Sequence, residues 1–107
     1  MPTYNKLVRD RIPEIIDKTG KKYSTRVLDK TEYIKELKKK SFEELEEYTN
    51  AENDEEALVE LADLLEIIHA LAETHGASIE KVEELRKQKA EERGGFKDKI
   101  FLIQVEE

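Results

Sequence analysis

From residue 30 to residue 93 the apolar positions return every three or four residues, the period of helices that each bury one face. The pattern predicts three long helices. The first covers residues 30–50, opens at Asp29 as N-cap, and carries Tyr33, Ile34, Leu37, Leu45 and Tyr48 on its apolar face. The second opens at Asn53, with Glu56 three residues on in capping-box spacing, and ends near His75 with Gly76 as its stop. Leu61, Leu64, Leu65, Ile68, Leu71 and Ala72 share one broad apolar face on it. The third is capped by Ser78, runs to Arg93 and halts at Gly94-Gly95. Ahead of them, Ile12-Pro13-Glu14-Ile15-Ile16 reads as a short helix, with Pro13 in its first turn and Gly20 beyond its end. Residues 23–28 and 99–105 are rich in β-branched and aromatic side chains and predict short strands, each of which needs a partner. The expected class is mainly α: one domain over residues 1–107, with one to three short terminal β-strands.

Acidic residues interrupt this pattern at telling positions. At about 100° per residue, Glu44 falls inside the apolar face of the first long helix, between the directions of Tyr33 and Leu37. Glu47 flanks that face, Glu43 points further round, and Glu46 faces outward. On the second long helix Glu56, Glu60, Asp63 and Ile67 form a stripe along the rim of the apolar face. A short turn between the helices would bring Glu44 and Glu47 opposite Glu60 and Asp63. Four clustered carboxylates repel one another unless a cation sits among them. An oxygen-only set of this kind suits Mg²⁺, with Mn²⁺ as a substitute. The competing reading is a solvated acidic face, which Glu-rich helices usually present.

Composition narrows the partners. The chain has 107 residues, no cysteine and a formal charge of −7, which excludes a disulfide framework and argues against binding a nucleic-acid polymer. A nucleotide substrate remains compatible, because bound divalent cations invert the local sign. The amino terminus shows no secretory apolar run and no stretch has the length of a membrane span, so a cytoplasmic protein is expected. With 37% hydrophobic and 42% charged residues, a core this small would gain from oligomerisation.

Glu44-x-x-Glu47, followed on the next helix by Glu60-Leu-Ala-Asp63-Leu-Leu-Glu, resembles the metal motif of the MazG-like, all-α nucleoside triphosphate pyrophosphohydrolases. Glu43 completes the Glu-Glu-x-x-Glu form common there. Tyr4-Asn5-Lys6-Leu7-Val8-Arg9-Asp10-Arg11-Ile12-Pro13 and Lys89-Ala-Glu-Glu-Arg93-Gly94-Gly95-Phe96 resemble a subgroup termed phosphoribosyl-ATP pyrophosphohydrolase-like. The likeness spans nearly the whole chain. It implies cleavage between the α and β phosphates to give a nucleoside monophosphate and pyrophosphate, as in nucleotide-pool house-cleaning. It also implies Mg²⁺, and a homodimer or homotetramer whose helices complete a four-helix bundle. By that likeness Glu44, Glu47, Glu60 and Asp63 hold the metal, and one of them or Glu43 deprotonates the attacking water. Ser41, where relatives more often carry an apolar residue, and the short interval between the two motifs depart from the pattern without removing a ligand.

Triphosphate needs positive charge besides a metal. Lys6, Arg9 and Arg11 at one end, and Lys89 and Arg93 at the other, are the candidates, with Asn5, Tyr33 or Tyr48 near enough in type to contact a base. Lys89 and Arg93 could equally complement the dipole at a helix end, and Asp10 could pair with a neighbouring arginine. Glu66-Ile-Ile-His69 has the spacing of a di-iron ligand pair, but His69 lies away from Asp63 and no second such pair exists. His69 therefore reads as an interface or surface residue, and His75 as a helix-end residue. Besides a house-cleaning hydrolase, two readings stay open: a phosphoribosyl-ATP pyrophosphohydrolase of histidine biosynthesis, and a non-catalytic acidic helical interaction module.

Overall fold

The computed structural model describes residues 2–106. It contains α1 (Ile12–Lys18), α2 (Lys30–Thr49), α3 (Asp54–Thr74) and α4 (Ile79–Arg93), and no strand among the described residues. The expected helix boundaries hold to within a residue or two, and the caps explain why. Asp29 accepts a hydrogen bond from the Glu32 N–H at 2.8 Å, and Asn53 accepts one from the Glu56 N–H at 2.8 Å. Glu56 completes the N-terminal cap of α3 by accepting from the Glu52 N–H at 3.1 Å. Gly76 ends α3 at φ +71°, a left-handed conformation that costs a side-chain-bearing residue energy. Ser78 occupies the N-cap of α4, but its side chain makes no capping bond.

α2 and α3 form an antiparallel hairpin across residues 50–53, and α4 touches only α3. The molecule is elongated, 62 × 36 × 25 Å. Its core is thin: Leu37, Ile67 and Ala72 are the buried hydrophobic residues, and α1 and α4 bury none. The hairpin covers the stripe of α3 that carries Glu60, Asp63 and Ile67, while Leu61 and Leu65 on the broad apolar face stay about half exposed. The acidic stripe expected at the rim thus lies along the interhelical seam. No helix is long and apolar enough to cross a membrane.

The expected terminal strands do not form among the described residues. Residues 23–28 and 99–105 run as irregular chain, with Val27 98% and Ile103 85% exposed. The reason is pairing. A strand is stabilised by its neighbour's backbone, and neither segment meets an extended partner within this chain.

The thin core makes a sharp expectation. Leu37→Ala should lower unfolding stability by about 2–4 kcal/mol, whereas Val27→Ala should stay within about 0.5 kcal/mol, both read by urea denaturation.

Candidate metal centre

Glu44 lies on the side of α2 that faces α3, two helical turns from the buried Leu37. Only 8% of it is exposed, and it is the sole buried charged residue among the described residues. Glu47 follows one turn later at the exposed edge, and Glu60 faces both from α3, half-buried. One carboxylate oxygen from each of the three lies within 4.8 Å of the others. The cap at Asn53 and the short link from Asn50 set this register, since they fix where α3 starts relative to the end of α2.

Protein groups leave the cluster poorly compensated. Lys40, one turn before Glu44, brings Nζ to 4.0 Å from Glu44 Oε1. Glu44 Oε2 and Glu60 Oε2 are buried and have no hydrogen-bond partner among the described residues. Unpaired buried oxygens on ionised groups are costly, so the site takes up protons. Glu60 is pushed up to about 7, first because a proton on its carboxyl can be shared with Glu44 and Glu47, then by loss of hydration and the charge of both neighbours. Burial pushes Glu44 upward as well, and the hydrogen bond and charge of Glu47 and the charge of Asp63 add to it, against a hydrogen bond from Glu60 that lowers it. A hard divalent cation would satisfy the same oxygens without protonation, and the all-carboxylate donor set fits one.

The four expected ligands therefore divide. Glu44, Glu47 and Glu60 come together. Asp63 is held instead by Arg9, whose Nη2 donates to Asp63 Oδ1 at 2.8 Å. Glu43 is exposed and lines an open groove of about 800 Å³ at the turn end of the hairpin, together with Glu46, Glu47, Glu55, Glu56 and Glu60.

Of the expected phosphate contacts, the amino-terminal ones lie beside the carboxylate helices. Lys6 borders a small cleft with Glu36, Lys40 and Glu43, and its Nζ sits 5.4 Å from the centre of the Tyr4 ring. Asn5 adopts φ +43°, a turn conformation that asparagine tolerates, and redirects the chain there. Lys89 and Arg93 are exposed on α4, which packs on neither α1 nor α2, and neither residue lines the groove. Tyr33 and Tyr48 do not line it either. Asn50, Asn53 and Val59 do, and sequence reasoning missed them as site residues. Their signal was position: Asn50 and Asn53 lie in the link that joins the two acidic helices, and Val59 is next to Glu60 on α3. Lys40 was also missed, although its spacing of four from Glu44 places it one turn away on the same side.

No protein-family model, curated protein or solved structure matches this chain.

Raised carboxylates set a direction for stability. The folded protein holds protons on Glu60 between the ordinary value of 4.5 and about 7, where the unfolded chain has released them. The resulting stability is complete below that ordinary value and is lost as pH rises through about 7. The metal-free melting temperature should therefore fall between about pH 5 and about pH 8, and Glu60→Gln should flatten the fall.

Proposed function

We propose that this protein is a Mg²⁺-dependent nucleoside triphosphate pyrophosphohydrolase, releasing pyrophosphate and a nucleoside monophosphate and so clearing unwanted triphosphates. The observation that carries this reading is the buried Glu44 carboxylate, with an unpaired oxygen, grouped with Glu47 and Glu60 in a hairpin seam. Glu44, Glu47 and Glu60 would hold Mg²⁺ or Mn²⁺, with Asp63 one turn beyond Glu60 as the fourth carboxylate. The cation, when bound, offsets phosphate charge and acidifies a water molecule. One of these carboxylates, or Glu43 exposed at the groove wall, would accept that water's proton. Asn50 offers an amide donor and acceptor to a base or sugar, Asn53, whose oxygen caps α3, an amide donor, and Val59 an apolar surface for the base. Lys6 and Arg9 supply positive charge for phosphate oxygens from the amino-terminal side. The extended resemblance in sequence motifs supports the same reaction class.

A homodimer belongs to the same proposal. Leu58, Leu61 and Leu65 on α3, with Phe42 and Leu45 on α2, are 42–73% exposed, an unusual apolar load for the outside of a small hairpin. Pairing two hairpins would bury these faces as a four-helix bundle. These exposed side chains equally support the second reading, a non-catalytic helical interaction module.

Mg²⁺ separates the two. Pyrophosphate release from a panel of canonical and damaged triphosphates, with phosphoribosyl-ATP included, should require Mg²⁺ and stop with EDTA. Glu44→Gln should lower kcat by about 10²-fold or more with an unchanged far-ultraviolet spectrum. Release of orthophosphate and a diphosphate would refute cleavage at the α–β bond. No turnover of any substrate and no Mg²⁺-dependent thermal shift would leave the interaction module standing. Light scattering should give twice the chain mass, and a monomer at working concentration would refute the bundle.

A further inference from the structure

One side-chain contact ties the amino-terminal segment to the carboxylate helices. Arg9 reaches Asp63 across 54 positions of sequence, while every other side-chain hydrogen bond among the described residues joins groups no more than six apart. Arg9 is itself anchored, since its carbonyl accepts the Ile12 N–H at 3.1 Å where α1 begins. The ion pair is open to water, with side chains 55% and 35% exposed, so it is weak and readily exchanged. Its partner is the one expected ligand that stands outside the three-carboxylate cluster, although Asp63 follows Glu60 by a single helical turn. Asp63 is thus satisfied by a cation of the chain itself, whereas Glu44 and Glu60 keep unpaired oxygens.

From this division we infer that Arg9 is an internal counter-ion that competes with the divalent cation for Asp63, and that its displaced guanidinium becomes a contact for the substrate's phosphates. The inference rests on the metal reading above. It adds an order of events within this chain: the site carries its own stand-in charge when empty, and exchanging it frees a second positive group on the side of the hairpin where Lys6 also lies. Cation and anion binding are then linked, because the bond from Nη2 holds the Arg9 guanidinium at Asp63 and a divalent cation taking its place there releases it toward a phosphate.

The two halves of the inference predict opposite signs for one substitution. Mn²⁺ affinity, read from the electron paramagnetic resonance signal of the free ion, should be measured for the full chain, Arg9→Ala, Asp63→Asn and the double variant, each checked for helix content. Arg9→Ala should tighten Mn²⁺ binding about two- to fivefold in the native background, the scale of an exposed ion pair, and leave it unchanged in the Asp63→Asn background. At saturating Mg²⁺ the same Arg9→Ala should raise KM for the triphosphate. Weaker Mn²⁺ binding in Arg9→Ala would overturn the competition and make Arg9 a support that orients Asp63. Equal tightening in both backgrounds would also overturn it, as simple charge repulsion, and an unchanged KM would overturn the phosphate contact. Absence of Mn²⁺ binding in every variant would instead strike the metal reading itself, and the competition with it.

Discussion

Like charges gathered in the seam between two helices, one of them buried, constrain much else in this molecule. Glu44 stands where a helical hairpin would ordinarily place leucine, and Glu60 faces it from the second helix. An apolar pair at these positions would stabilise the hairpin through burial, whereas two carboxylates cost free energy unless protonated or bridged by a cation. Protonation at Glu60 and the distant Lys40 ammonium relieve part of that cost. The remainder would favour a positive group that fits between the helices. Stability given up at a site of this kind is a common signature of function, because residues chosen only for folding would not be arranged so.

This constraint was visible in the sequence because it rests on helical periodicity alone. The caps at Asp29 and Asn53 located the starts of α2 and α3, and the wheel then put Glu44 on the buried side, where it is found. Periodicity could not show which face of α3 the hairpin covers. The hairpin covers Glu60 and Ile67, with Leu64 and Leu71 partly covered and Ala72 buried, while Leu61 and Leu65 of the apolar face stay about half exposed. Periodicity is silent also on groups brought in from remote sequence, so the bond between Arg9 and Asp63 had no local signal. The terminal strands failed for a related reason. Residues 99–105 have the side chains of a strand, but strand formation depends on a neighbour that propensity does not supply.

The thin core and the acidic seam are connected. With the inner faces of α2 and α3 partly given over to carboxylates, three hydrophobic residues are all that the described chain buries. Apolar side chains that would normally fill such a seam lie outside it, on Phe42, Leu45, Leu58, Leu61 and Leu65. A hairpin built this way leaves much of its apolar surface uncovered, so pairing with a second copy and binding a cation, as proposed above, would answer one deficit from two sides. The open groove beside the seam has the same character, since six glutamates line it and one chain leaves it uncovered.

Position along the chain gives the amino-terminal segment its place in this balance. α1 buries nothing, and residues 3–9 hold no regular structure, so hydrophobic burial does little to keep this segment on the hairpin. Leu7 and Val8 are only half covered, and the one specific side-chain tie is the Arg9–Asp63 pair. An attachment this light responds to the charge state of the seam. As negative charge accumulates on Glu44 and Glu60, the field that retains Arg9 and Lys6 strengthens; a divalent cation bound there would weaken it. The structure ties the segment to the site through a charge contact more than through packing, which is the form of tie that a charged ligand would reverse without unfolding the hairpin.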